Sequence, residues 1–172
     1  MTRICTLTFL GALLGAVAVQ AQNPFSADAK TQYNMIKNSV SKAAEEMGDA
    51  DYSFKASSTE RTYGEIVGHI ADVQMGLCGT AKGEQKKGEA AGKTSKADLV
   101  AALQASFDYC DGVYNSMTDA DGAAKVKMFG RLEMTKLGVL NFNTEHDNEM
   151  YGQMVVYLRL KGEVPPSSQR RK

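Results

Sequence analysis

Apolar residues recur every three or four positions in four stretches of the chain, which predicts four amphipathic helices. The first covers about residues 26–47, the second begins at Thr62, the third begins at Ser95, and the fourth covers about residues 134–161. The first shows the pattern most clearly, with apolar side chains at Tyr33, Ile36, Val40, Ala43 and Met47. Thr62 and Ser95 are each followed three residues later by an acidic residue, which is typical of a helix N-terminus.

The segments between these helices are polar or ambiguous. Residues 79–94 contain four Gly and four Lys and few apolar residues, which indicates a mobile loop. Alternating apolar residues within 123–133 favour a short extended piece, with Phe129-Gly130 as a turn. Gly162 and Pro165-Pro166 end the last helix, and residues 167–172 form a basic, flexible tail. We therefore expect an all-α protein, an antiparallel four-helix bundle over residues 22–166.

The N-terminus has the three parts of a secretory signal peptide. A positive segment at Met1–Arg3 precedes an apolar run over residues 7–19, and the small-residue pattern Val19-Gln20-Ala21 follows. The alternative is an uncleaved membrane anchor, but the run is shorter than the ~20 residues that a span needs. We predict cleavage after Ala21, removal of Cys5 with the leader, and export to the periplasm or the exterior.

Composition and charge exclude several classes of function. The chain has 172 residues, 43% of them hydrophobic, with 20 basic and 20 acidic side chains and therefore no net charge. This describes one globular domain without the charge excess that captures nucleic acid or an anionic membrane. The sequence contains no nucleophile elbow, P-loop or dinucleotide-binding fingerprint. We expect no nucleic-acid partner and no membrane span after cleavage.

The two histidines of the chain both fall on predicted inward faces. His69 lies between Ile66 and Val73 on the apolar side of the second helix. His146 begins a stripe on the fourth helix that continues through Met150, Gln153, Tyr157 and Leu160. One inward histidine is more often a hydrogen-bonded core residue than a ligand, whereas with two on different helices a metal site and a structural role are equally expected.

At these residues the sequence resembles a known family. His146–Gln153, followed by residues 156–162 and Pro165-Pro166, resembles the C-terminal signature of the DinB-like (DinB/YfiT) superfamily. Residues 65–71 are similar to the motif that carries that family's first metal ligand, and the resemblance covers residues 33–166. It implies an antiparallel four-helix bundle with a divalent metal (zinc, nickel or iron) held by three histidines. Some members are thiol-dependent transferases, and many have no known activity.

The ligand set implied by the resemblance is incomplete. His69 matches the first ligand and His146 the second, but Met150 stands at the third position. A thioether is soft and neutral, and it suits Cu(I) better than Zn²⁺ or Ni²⁺. Glu149 or Asp72 could complete the shell as an auxiliary ligand. The favoured interpretation is that Met150 fills the core of a bundle that has lost its metal.

Five further residues are candidates for a pocket, an ion pair or a disulfide. Gln153 and Tyr157 could line the mouth of a pocket and Arg159 could pair with a carboxylate, although a structural role is favoured for all three. Cys78 and Cys110 remain after cleavage, and in an exported protein we expect them to form a disulfide. The alternatives are two buried thiols or sulfur ligands to a soft metal.

Three functions remain open. The first is an exported DinB-like protein with a partly lost divalent-metal site, which is non-catalytic and binds a small molecule or a protein partner. The second is a metal-dependent enzyme, a thiol transferase or a hydrolase, using His69, His146 and a carboxylate. Low-molecular-weight thiols are largely cytosolic, which disfavours a transferase in an exported protein. The third is a structural module that forms a homodimer.

Overall fold

Four long helices form the body of the protein. The computed structural model describes residues 23–169, so the predicted signal peptide with Cys5 and the last three residues lie outside the described part. The long helices are α1 Pro24–Glu46, α2 Tyr63–Lys82, α3 Lys96–Ser116 and α5 Lys136–Leu160. The remaining elements are a short helix, two strands and two 3-10 segments: α4 Asp119–Gly122, β1 Lys125–Met128, β2 Leu132–Thr135, Asp49–Ser53 and Pro166–Ser168.

Side chains cap the helices at the predicted places. The Thr62 hydroxyl accepts a bond of 3.1 Å from the Glu65 backbone N–H, and the Glu65 carboxylate accepts one of 2.6 Å from the Thr62 backbone N–H. Ser95 caps α3 in the same way by accepting from the Asp98 N–H at 3.1 Å. α5 begins slightly later than predicted, because the Thr135 hydroxyl accepts from the Gly138 N–H and sets the start at Lys136.

The predicted all-α four-helix bundle is confirmed, but its helices are not antiparallel throughout. α1 and α2 each pack mainly against α3 and α5. Two contacts join α2 to α3: the hydrogen bond from Gln74 to Ser106 and the disulfide between Cys78 and Cys110. Both join positions 32 residues apart in sequence, and because this separation stays constant along the helices, α2 and α3 run parallel. α5 runs opposite to α2, because Tyr157 near its end bonds the Arg61 carbonyl that precedes α2.

The segment between α2 and α3 makes the parallel pairing possible. α2 continues through residues 79–82, which were predicted as loop, and Gly83 ends it in a left-handed conformation with φ of 86°. The chain then returns along α2, where Asp72 accepts a bond of 2.9 Å from the Ala90 N–H. Residues 83–95, nearly extended, can span the ~30 Å length of α2. This segment packs on the bundle and is not the free loop that its composition indicated.

A β-hairpin replaces the ambiguous segment before α5. Strands β1 and β2 pair antiparallel, from Lys125 opposite Thr135 to Met128 opposite Leu132. The turn contains Phe129 and Gly130, both with positive φ. The extended piece and the turn were therefore placed correctly, but the pairing partner was not foreseen.

The disulfide prediction agrees with the structure. Cys78 and Cys110 form a disulfide with a Cα–Cα distance of 5.4 Å, and both are buried. An antiparallel arrangement would have left Cys110 too late in α3 to meet Cys78, and the parallel register of α2 and α3 removes that difficulty. The alternatives of free thiols or sulfur ligands at these positions do not apply.

The start of the predicted flexible tail is held against the bundle. The Ser167 backbone N–H donates to the Tyr151 hydroxyl at 2.9 Å, and Gln169 donates to Glu46 at 2.9 Å. No helix within residues 23–169 is long and apolar enough to cross a membrane.

Candidate metal centre and adjoining cleft

The two histidines meet across the interface of α2 and α5. Their Nε2 atoms are 3.1 Å apart, and the ring centroids are 5.0 Å apart at a steep angle. Two nitrogen ligands of one tetrahedral ion, each about 2.05 Å from the metal, lie about 3.3 Å apart. The observed separation of the two nitrogens therefore suits two ligands of a single ion, and without an ion it suits one shared N–H···N hydrogen bond.

The surroundings of His69 disfavour its protonated form. Burial lowers the pKa of His69, and the positive charge of Arg61 and the neighbouring His146 lower it further. A neutral imidazole is the form that binds a metal ion. His69 is therefore suited to bind a cation near neutral pH.

Asp147 is a buried acid beside the histidine pair, and sequence reasoning missed it. Its side chain is fully buried, and neither carboxylate oxygen has a hydrogen-bond partner within residues 23–169. One of them, Oδ1, lies 3.6 Å from His146 Nδ1, slightly beyond hydrogen-bond distance. Burial raises the pKa of Asp147 to about 6. Ionisation of Asp147 is therefore costly in the folded protein.

The face of α5 that carries Asp147 explains why it was missed. The predicted stripe from His146 to Leu160 runs along the edge of the buried face, since Gln153 is half-buried and Leu160 is 57% exposed. The centre of that face includes Asn143, Asp147 and Met154, all fully buried. A search for polar residues at helical spacing from Met154 would have found Asp147.

No third hard donor joins the two imidazoles. Within the described part of the chain, no group of three or more His, Cys, Asp or Glu side chains is arranged to hold a metal. Asp72 bonds the Ala90 backbone N–H, and Glu149 is exposed. The charges of both carboxylates nonetheless act on the pKa of His69, so both lie in its neighbourhood, although neither belongs to a metal-binding group of three side chains among the described residues. Met150 is buried and belongs to the hydrophobic core, as the core-filler interpretation requires.

This donor set does not fit the divalent centre that three histidines would form. The two nitrogens have a suitable separation, but the side chain on the same face one turn after His146 is a neutral thioether. Zn²⁺ and Ni²⁺ favour imidazole, carboxylate and thiolate donors over a thioether. Two donors of a divalent site are thus correctly spaced, but the third position carries a side chain that divalent ions bind poorly.

A cleft of about 580 Å³ lies beside His69. Its walls come from the start of α2, from the segment before α3 and from Leu99. Arg61 and Lys93 line it, and neither side chain forms a hydrogen bond or salt bridge with any residue from 23 to 169. Its lining also includes the carboxylates of Glu60, Glu65 and Asp72. Those of Glu65 and Asp72 accept hydrogen bonds from backbone N–H groups, so among the described residues Glu60 is the one carboxylate of the cleft without such a bond.

The three other predicted pocket residues have structural contacts. Tyr157 is buried and donates to the Arg61 carbonyl at 2.5 Å, and Gln153 is half-buried. Arg159 lies 3.4 Å from the Ser168 hydroxyl and forms no salt bridge with a carboxylate among the described residues. The favoured structural role agrees with these contacts, and none of the three lines the cleft beside His69.

A family model described as the DinB superfamily matches residues 32–154. The chain belongs to the DinB superfamily. No curated protein matches the sequence. This DinB-superfamily chain is similar in structure to a DinB-like protein from Bacillus cereus ATCC 10987, with a TM-score of 0.70 and 21% identity over 81% of this chain and 95% of that one.

Other solved structures share the fold. A DinB-like protein from Bacillus subtilis, YjoA, has a TM-score of 0.67 and 20% identity, covering 83% of this chain and 99% of that chain. YfiT from Bacillus subtilis, described as a probable metal-dependent hydrolase with an unusual four-helix bundle topology, has a TM-score of 0.65 and 13% identity, covering 84% and 92%. A mycothiol-dependent maleylpyruvate isomerase has a TM-score of 0.62 and 10% identity, covering 75% of this chain and 60% of that one.

Proposed function

We propose that this protein is an exported, non-catalytic member of the DinB superfamily that binds a small anionic molecule in the cleft beside His69. The observation that carries the proposal is the contrast between two neighbouring places. The histidine pair lacks a third hard donor within residues 23–169, whereas Arg61 and Lys93 line the cleft without hydrogen-bonded or salt-bridged partners. Arginine and lysine in this state bind carboxylate or phosphate groups.

Ligand binding can be tested with a charge-matched pair of molecules. Succinate should raise the melting temperature of the purified protein in a concentration-dependent way, and a diamine of similar length should not. Arg61→Gln should weaken succinate binding on the order of tenfold by calorimetry, since a charge-assisted bond is worth about 1.5–3 kcal/mol. Glu60→Gln should strengthen it, because the remaining free carboxylate is removed.

The control is a lysine that does not line the cleft. Lys127→Gln removes an exposed positive charge from β1 and should leave succinate affinity unchanged. Equal losses in Arg61→Gln and Lys127→Gln would mean that general charge, and not the cleft, attracts the anion. The proposal would then be wrong.

Export is supported by the three-part N-terminus and by the disulfide between Cys78 and Cys110, which is typical of an oxidising compartment. The full chain expressed in a Gram-negative host should appear in the periplasmic fraction with an N-terminus at Gln22. Ala21→Arg should block cleavage and leave the leader attached. A full-length chain in the cytosol would contradict the export proposal.

The metal-dependent enzyme is the second candidate, favoured by the 3.1 Å separation of the two Nε2 atoms and by YfiT, described as a probable metal-dependent hydrolase. His69 and His146 would hold the ion, which lowers the pKa of a bound water. Metal analysis of the protein purified without a His tag separates the two candidates. One zinc, nickel or iron ion per chain would support the enzyme, and substoichiometric amounts of these three metals would support the binding protein.

A further inference from the structure

A buried thioether lies one helical turn after His146 on α5. Met150 follows His146 by one helical turn and is only 3% exposed. Residues four apart on a helix have Cβ atoms about 5–6 Å apart on the same face. α5 carries both residues and packs against α2, which carries His69. Two imidazole nitrogens and one sulfur are therefore carried by neighbouring positions of two helices that pack together.

We propose that His69, His146 and Met150 form a binding site for a soft monovalent metal ion, Cu(I). This inference goes beyond the anion cleft and does not depend on it. Imidazole binds Cu(I), Zn²⁺ and Ni²⁺ alike, whereas a thioether favours Cu(I), so the sulfur of Met150 decides the preference. The thiolates that would otherwise compete for Cu(I) are absent at Cys78 and Cys110, because these two form a disulfide.

The charge around the pair also fits a monovalent ion. His69, His146 and Met150 are neutral donors when they bind a metal, so the ion keeps its full charge in a largely buried place. The cost of burying an ion grows steeply with its charge, which disfavours a divalent ion here.

Asp147 supplies one compensating negative charge. Its carboxylate is fully buried, lies 3.6 Å from His146 Nδ1, and has no hydrogen-bond partner within residues 23–169. A carboxylate on the far nitrogen of a ligating histidine orients the ring and increases its basicity. One buried carboxylate and one Cu(I) ion balance each other.

The test measures Cu(I) affinity directly. The full chain with Cys5→Ser, its disulfide intact, is titrated anaerobically with ascorbate and a bicinchoninate chelator that competes for Cu(I). One Cu(I) ion per chain should bind, and excess Zn²⁺ should not displace it. No binding, or displacement by Zn²⁺, would overturn the proposal.

Matched methionine variants test the thioether. Met150→Leu should weaken Cu(I) binding on the order of 10- to 100-fold. Met154→Leu makes the same change in a fully buried methionine one turn further along α5 and should leave affinity unchanged. Equal affinities for wild type and Met150→Leu, or equal losses in both variants, would show that the sulfur of Met150 is not a ligand.

Two further measurements protect the test against misfolding. X-ray absorption of the wild-type copper complex should show nitrogen and sulfur neighbours, and nitrogen or oxygen neighbours alone would refute the site without any variant. His69→Gln, at a half-buried position beside the cleft, should abolish stoichiometric binding while the helical circular dichroism is retained. Retained stoichiometric binding in His69→Gln would also refute it.

Discussion

The buried acid at position 147 gives the sharpest prediction about stability. Burial raises the pKa of Asp147 from its ordinary value of 3.8 to about 6 in the folded protein. The folded state therefore holds this proton more tightly than the unfolded state. Stability from this group is fully present below about pH 4, falls as the pH rises, and is lost above about pH 6. A shift of about two units corresponds to roughly 3 kcal/mol.

Asp147→Asn removes the charge and should therefore stabilise the metal-free protein at neutral pH. We expect a gain of about 1–3 kcal/mol at pH 7.5, below the full value because the amide also lacks partners in this place. At pH 4 the gain should vanish, since wild-type Asp147 is then protonated. The measurement is urea unfolding in EDTA at both pH values, followed by helical circular dichroism.

The control variant changes an aspartate that is exposed to solvent. Asp28→Asn changes an exposed aspartate of α1 and should give a stability difference that is small and independent of pH. A difference between wild type and Asp147→Asn that stays constant from pH 4 to 7.5 would show that burial does not penalise the Asp147 carboxylate. Asp147 would then be solvated or paired in the folded protein.

Three more predictions concern the fold and the histidine pair. Cys78→Ser should lower the free energy of unfolding by about 2–5 kcal/mol in urea titrations, and alkylation of the unreduced wild type should label neither cysteine of the pair; two labelled thiols would contradict the bridge. Gly88→Ala should cost about 1–3 kcal/mol, because its Cβ would stand 2.0 Å from Asp72 Oδ1. Gly112→Ala, with nothing within 4 Å, is the control and should be neutral or stabilising; equal effects would contradict the close packing of the returning segment. Met150→His should raise zinc affinity by several orders of magnitude in chelator competition, and no gain would mean that position 150 does not face the pair.

Local sequence determined the helices and the placement of the two histidines. The capping pairs at Thr62 and Ser95 set the starts of α2 and α3, because a side-chain oxygen satisfies a backbone N–H that the helix cannot. The apolar spacing around His69 put its ring on an inward face. These features depend on residues three or four positions apart, so they can be predicted without knowing what packs against them.

Tertiary structure decided how the helices run and which polar side chains meet. Apolar spacing identifies the buried face of a helix but not its neighbour, so the parallel pairing of α2 with α3 and the return of residues 83–95 could not be predicted. The predicted stripe of α5, which ends at Leu160, and the buried stripe through Asp147 differ by a small rotation about the helix axis. Packing of α5 against α1 and α2 decides between them, since it buries Asp147 and leaves Leu160 exposed. The meeting of His69 with His146 likewise depends on contacts between distant segments, and such contacts leave no period in the sequence.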